Sequence, residues 1–163
     1  MLEEIKVTTS SSFKDNRGEL YTVFNQKDSS IIFNHDKVSI SYKNVLRGLH
    51  SDDKSTKLIT CLKGKVYLAV VDIRKGSSTY LQWNSYILSG KNKKQVLVPP
   101  GFANGHLVLS KKAVFFYKWS YEGDYPDVQE QRSYRWNDPK INIKWPLGGL
   151  PVLSERDKSS TLL

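Results

Sequence analysis

The chain has 163 residues, a formal net charge of +9, 39% hydrophobic residues and a single cysteine. That length suits one domain with a sizeable apolar core; one cysteine excludes a disulfide framework, and no apolar run approaches the ~20 residues of a membrane-spanning helix. The excess of Lys and Arg favours an anionic partner such as a phosphate-bearing metabolite, but the basic residues are dispersed, so nucleic-acid binding has only charge in its favour and is not expected.

The opening Met1-Leu2-Glu3-Glu4-Ile5-Lys6 has no apolar signal core, and a cytoplasmic protein without membrane association is expected. Residues 1–12 read as an N-terminal arm, mobile or a peripheral strand. A turn over 13–18 leads into a predicted strand over 19–24; Arg17 beside Gly18 is either a phosphate ligand or a solvated turn residue. Residues 31–42 alternate in their second half, with Val38, Ile40 and Tyr42 on one face and Lys37, Ser39 and Ser41 on the other, so one face of this strand is polar and suits either a cavity or solvent.

Val45-Leu46-Arg47-Gly48-Leu49-His50 brings an Arg and a His together on an apolar run. Strands follow over 57–62, where Cys61 reads as a buried free thiol, and over 65–74, whose segment 66–73 is too apolar for a half-exposed strand and is predicted to be covered on both faces. Further strands are read at 79–88, 95–98, 102–109 and 113–119, with Pro99-Pro100-Gly101 stopping the ladder after 98. Lys91-Asn92-Lys93-Lys94 and Lys111-Lys112 read as solvated hairpin tips. The tail is turn-rich at Tyr125-Pro126-Asp127, Trp136-Asn137-Asp138-Pro139 and Trp145-Pro146; it is expected to wrap the strands, with 158–163 frayed. Short strands at regular spacing with almost no helical period indicate a single all-β domain over 1–163, a sandwich or barrel.

Chemistry must come from a few residues. His35, His50 and His106 have no His-x-His or His-x-x-x-His spacing and no Cys-x-x-Cys accompanies them, so a metal is not expected. The Pro-x-Gly stretch at 99–105 has the shape of the second cupin motif, with Asn104 where that motif has a His ligand. No Gly-x-Ser-x-Gly elbow or Gly-rich phosphate loop is present. What remains is proton transfer by His, with His50 a candidate base or a hydrogen-bonded core residue.

In order along the chain, Arg47-Gly48-Leu49-His50, Lys57-Leu58, Val70-Val71-Asp72-Ile73-Arg74-Lys75-Gly76-Ser77, Pro99-Pro100-Gly101-Phe102-Ala103, Tyr117-Lys118, Trp136-Asn137-Asp138-Pro139 and Leu153-Ser154-Glu155-Arg156-Asp157 resemble the dTDP-4-dehydrorhamnose 3,5-epimerase family. The resemblance implies a cupin-type jelly roll, a homodimer, and a metal- and cofactor-free isomerase acting on a nucleotide-diphosphate 4-keto-6-deoxysugar in surface polysaccharide or deoxysugar biosynthesis. It implies that His50 is the base, Asp157 its partner, Tyr117 the acid on the opposite face and Lys57 the group that stabilises the enolate. Arg17 and Arg47 would hold the diphosphate or neighbouring sugar groups. The chain departs from the rhamnose-pathway pattern at His35-Asp36-Lys37, at Asn104 with His106 two residues on, and at Tyr121-Glu122-Gly123-Asp124-Tyr125-Pro126. These substitutions place Lys37, Asn104 and His106 on the substrate side and resemble a branch acting on GDP-4-keto-6-deoxy-heptoses. A non-catalytic jelly-roll module that binds a nucleotide sugar or glycan is the alternative.

Overall fold

Alternating side chains and frequent turns give a structure made almost entirely of strands. The computed structural model describes residues 2–124 and 130–163. In chain order the strands are β1 (Lys6–Thr9), β2 (Ser12–Asp15), β3 (Gly18–Tyr21), β4 (His35–Tyr42), β5 (Leu46–Ser51), β6 (Thr56–Lys63), β7 (Lys65–Asp72), β8 (Trp83–Ser89), β9 (Lys94–Val98), β10 (Phe102–Val108), β11 (Lys112–Ser120) and β12 (Arg132–Ser133), followed by one helical turn, α1 (Glu155–Lys158). Two five-stranded sheets, ordered β1-β9-β6-β11-β4 and β12-β5-β10-β7-β8, face each other as a jelly roll, and β2 and β3 form a separate hairpin. Among the described residues no helix is long and apolar enough to cross a membrane.

The apolar run of β7 is covered on both faces, as its composition predicts. Val66, Leu68 and Val70 pack with Ile59, Val96, Phe102 and Phe115 between the sheets. Ala69 and Val71 face the other way and meet Ile141 and Ile143, with Trp145 and Leu163 beside them. The turn-rich tail is therefore a lid over the outer face of the second sheet, pinned where Trp145 Nε1 donates to the Trp136 carbonyl at 2.8 Å. Cys61 is buried and unoxidised, and burial pushes its thiol up to about 11, which leaves it unreactive at neutral pH.

Several local expectations are corrected. Of the two readings of 1–12, the peripheral strand is the one found, since β1 pairs with β9 at the sheet edge from Lys6↔Leu97 to Thr9↔Lys94. The strand expected at 19–24 is found but stops at Tyr21, as the second half of the β2–β3 hairpin. Residues 158–163 are tied down rather than frayed: Leu163 N donates to Asp138 Oδ2 at 2.7 Å and Arg135 N to the Thr161 carbonyl. Lys93 is not a solvated tip residue; it is buried and paired with Glu19 at 2.6 Å. Tyr125-Pro126-Asp127 lies outside the described residues.

β4 has an unusual polarity. Lys37, Ser39 and Ser41 point between the sheets, while Val38, Ile40 and Tyr42 stand outside at 56%, 55% and 64% exposure. Of the two readings its alternation allowed, the polar face lines the interior.

Candidate active site

Between the sheets lies a cavity of about 260 Å³ bordered by Lys37, Arg47, His50, Lys57, Asn104, His106, Tyr117, Trp119, Arg156 and Asp157, among others. The strand period accounts for most of this wall, since side chains two apart share a face: Phe115, Tyr117 and Trp119 come from β11, Lys57 and Ile59 from β6, Asn104 and His106 from β10.

β5 breaks the period. Arg47 and His50 are an odd number of residues apart, so a regular strand would send them to opposite faces, yet both border the cavity. The reason lies in the pairing with β10, where Asn104 faces His50 and His106 faces Arg47, two steps on one strand against three on the other. The extra residue is accommodated at Gly48, whose φ of +117 suits only glycine. Gly105 on β10 lets the backbones come together there: a Cβ on Gly48 would lie 2.6 Å from Gly105 Cα.

His50 Nε2 is 2.7 Å from Asp157 Oδ1. Asp157 is 3% exposed and is delivered by α1, where the Ser154 hydroxyl caps the turn by accepting from Asp157 N at 3.2 Å. Burial works against the charge on Asp157, but the hydrogen bond and charge of His50, together with Ser154 and the Gly48 N–H, hold its carboxyl below the usual range. An ionised Asp157 only accepts, so Nε2 carries the proton and Nδ1 keeps the basic lone pair.

Tyr117 stands on the opposite sheet. Burial pushes its phenol up, partly offset by Arg47, so it is protonated at neutral pH and able to donate. Lys57, 5% exposed, pairs through Nζ with Asp52 Oδ2 at 2.8 Å and lies 4.4 Å from the centroid of the Trp119 ring. Arg47 is oriented by Nε donating to Ser41 Oγ at 3.0 Å. Among the described residues, four cations, Lys37, Arg47, Lys57 and Arg156, face one wall carboxylate, Asp157, so the cavity suits an anionic ligand.

His106 is stacked on Phe115 with ring centroids 3.8 Å apart. Its Nε2 and Asn104 Oδ1 are buried polar atoms without a protein partner, the kind of atoms a bound ligand satisfies. Burial first, then the charges of Arg47 and His50, push His106 down to about 3, against the pull of Asp157. This has a measurable consequence. An unfolded His takes up a proton below about pH 6.5, whereas the folded one stays neutral to about pH 3. Stability present above pH 6.5 is therefore lost as pH falls toward 3, by several kcal/mol in all. Urea midpoints at pH 7 and pH 4.5 should fall much further in the parent than in His106→Phe; equal falls would refute it.

The candidates from sequence are thus brought together at one cavity, with one exception. Arg17 lies in the exposed β2–β3 turn, with its Nε donating to Asp15 Oδ2 at 3.0 Å, away from the cavity of its own chain. Trp119, Arg156 and Asp52 were missed. Trp119 was within reach, two residues beyond Tyr117 on the same strand face; Asp52 had no local signal.

The sequence model of the dTDP-4-dehydrorhamnose 3,5-epimerase family matches residues 1–163. A dTDP-4-dehydrorhamnose 3,5-epimerase from Salmonella typhimurium is 37% identical over 171 residues, covering 99% of this chain and 92% of its own. One from Pseudomonas aeruginosa is 39% identical over 154 residues, covering 90% and 83%. The crystal structure of dTDP-6-deoxy-D-glucose-3,5-epimerase from Legionella pneumophila, in complex with dTDP-4-keto-L-rhamnose, superposes with a TM-score of 0.92 at 39% identity, covering 99% of this chain and 88% of that one.

Proposed function

The chain belongs to the dTDP-4-dehydrorhamnose 3,5-epimerase family, and on that premise we propose that it is a cytoplasmic epimerase that inverts carbon 3, carbon 5 or both in a nucleotide-diphosphate 4-keto-6-deoxysugar. The observation that carries the reading is the pairing of His50 with Asp157 on one sheet side, with Tyr117 on the facing sheet.

In this reading His50 Nδ1 removes the proton next to the keto group, and the Nε2 proton stays with the hydrogen bond to Asp157. The electron pair moves onto the carbonyl oxygen, where the Lys57 ammonium stabilises the enolate. Tyr117 then returns a proton to the same carbon from the other face. His50 has gained a proton and Tyr117 has lost one, so both must re-equilibrate with water before the next turnover. Lys37, Arg47 and Arg156 supply positive charge for the diphosphate, Arg with a fork that matches phosphate oxygens.

Incubation in D2O with dTDP- and GDP-linked 4-keto-6-deoxysugars is the direct test. The product should carry one solvent deuterium at each inverted carbon, and absence of incorporation from every sugar would overturn the reading. Tyr117→Phe separates the two proton transfers. It should keep wash-in of deuterium at the carbon His50 reaches, while formation of inverted product falls by about 10²-fold or more; inversion at the parent rate would assign the acid elsewhere.

The reading includes a homodimer. Its support is the outer face of β4, where Val38, Ile40 and Tyr42 are exposed on one strip, and the hairpin residues Phe13 and Leu20 at 67% and 75% exposure. Three adjacent apolar side chains gain roughly 1.5 kcal/mol or more each when covered, and a second copy of the chain brings the same strip. Sedimentation at micromolar concentration should give a dimer, and Ile40→Asp a monomer; a monomeric parent would refute it.

A further inference from the structure

Among the described residues, Lys57 is the one cation of the cavity wall with almost no access to water. Its side chain is 6% exposed and that of Asp52 3%, and a charge at such depth persists only with a partner. Among the described residues, the other charged or titratable groups on the wall are Lys37 from β4, Arg47 and His50 from β5, His106 from β10, Tyr117 from β11, and Arg156 and Asp157 from the C-terminal turn. All of these are cationic or neutral except Asp157, and Asp157 is engaged by His50. Asp52, in the loop between β5 and β6, is thus the carboxylate left for Lys57.

Asp52 is itself held rigidly. Its Oδ1 accepts from Ser55 N at 2.6 Å, from Ser55 Oγ at 2.5 Å and from Lys54 N at 3.1 Å, and its carbonyl accepts from Gly101 N at 3.0 Å. These bonds occupy one carboxylate oxygen and turn the other, Oδ2, toward Lys57 Nζ at 2.8 Å. An ammonium has three donors. With Asp52 at one side and the Trp119 ring face at another, the direction left to them is the cavity that Lys57 borders.

We infer that Asp52 is a positioning residue of the reaction: the loop between β5 and β6 is built to keep Lys57 charged and pointed at the cavity, so that its ammonium meets the developing oxyanion. The inference rests on the epimerase reading above. Burial pulls the Lys57 proton off and Asp52 pulls it back; without the carboxylate only the first effect remains. Lys57 in Asp52→Asn must therefore lose its proton at a lower pH than in the parent.

The test has two arms. In the first, Lys57 is followed by NMR in protein carrying 13Cε-lysine, its signal identified by its loss in Lys57→Met. Asp52→Asn should move the Lys57 titration down by a unit or more, and an unmoved titration overturns the inference whether or not the protein is an epimerase. In the second, Asp52→Asn should lower kcat on the order of 10²-fold with KM within about threefold, and should bring the alkaline limb of the kcat profile to lower pH. A parent-like limb refutes the positioning role and leaves the epimerase reading intact. Loss of deuterium exchange in the parent itself refutes both. Ser55→Ala keeps the carboxylate but removes one bond to Oδ1, and covers the case in which Asp52→Asn does not fold. It should shift both the titration and the alkaline limb in the same direction by less, and no shift in this folded variant counts against the inference.

Discussion

Replacing His50 with Asn lowers kcat by about 10³-fold or more and leaves nucleotide-sugar binding within a few-fold of the parent. Asn is smaller than His and its amide stands near the place of Nδ1, short of Asp157, so the variant loses both the basic lone pair at Nδ1 and the Nε2 bond to Asp157, while the rest of the wall is unchanged. Binding survives because the cations that meet the diphosphate, Lys37, Arg47 and Arg156, are untouched. Asp157→Asn acts one step removed. It leaves a hydrogen bond but withdraws the negative charge that fixes the tautomer and stabilises the imidazolium, at a loss of about 10²-fold or more. Solvent deuterium exchange for turnover and calorimetric titration with the nucleotide sugar for binding are the measurements. Full turnover in His50→Asn would remove His50 as the base, and binding without deuterium exchange in the parent would leave the chain a binding module.

Gly48→Ala has the largest expected effect on the fold. The new Cβ would meet Gly105 Cα at 2.6 Å and the Asn104 carbonyl oxygen at 2.8 Å, both backbone atoms, so no side chain can swing aside to relieve it. The residue must also keep a φ of +117, which an L side chain resists. Overpacking and backbone strain together predict a loss of about 3 kcal/mol or more, a large share of the 5–15 kcal/mol typical of a domain. Relaxation of the clash would separate β5 from β10, and Arg47 and His50 could no longer both face the cavity. Urea denaturation and deuterium exchange, measured on the same preparation, should therefore fail together. A stable but inactive variant would assign Gly48 to the chemistry alone, and a stable, active one would refute the packing argument.

Much of the fold can be read from residue order. The unbroken apolar run of β7 and the turn-rich tail each specify a physical environment, and each finds it; the alternation of β4 specifies a polar face without saying whether cavity or solvent meets it. What fails is any feature set by a partner distant in sequence. The pairing of His50 with Asp157 spans 107 positions, and residue type alone left His50 an even choice between base and core; only the resemblance joined the two. The bulge in β5 is invisible to a period-two reading, which would have separated Arg47 from His50. α1 is too short to have a helical period, and the tail fastens through Asp138, a contact that Leu163 does not advertise. Arg17 shows the converse limit, since a residue type suited to phosphate lies in a hairpin turn away from the cavity of its own chain.

The inverted polarity of β4 links two properties usually treated apart. One strand presents Lys37 to the cavity and Val38 and Ile40 to the outside, so a displacement of its backbone by solvent entering at the outer face moves a wall residue at the inner one. Association with a second copy, as proposed above, would bury that outer face by mass action. Specific activity per milligram should then decline on dilution below the dissociation constant, and dilute assays would understate the enzyme that a concentrated cell contains.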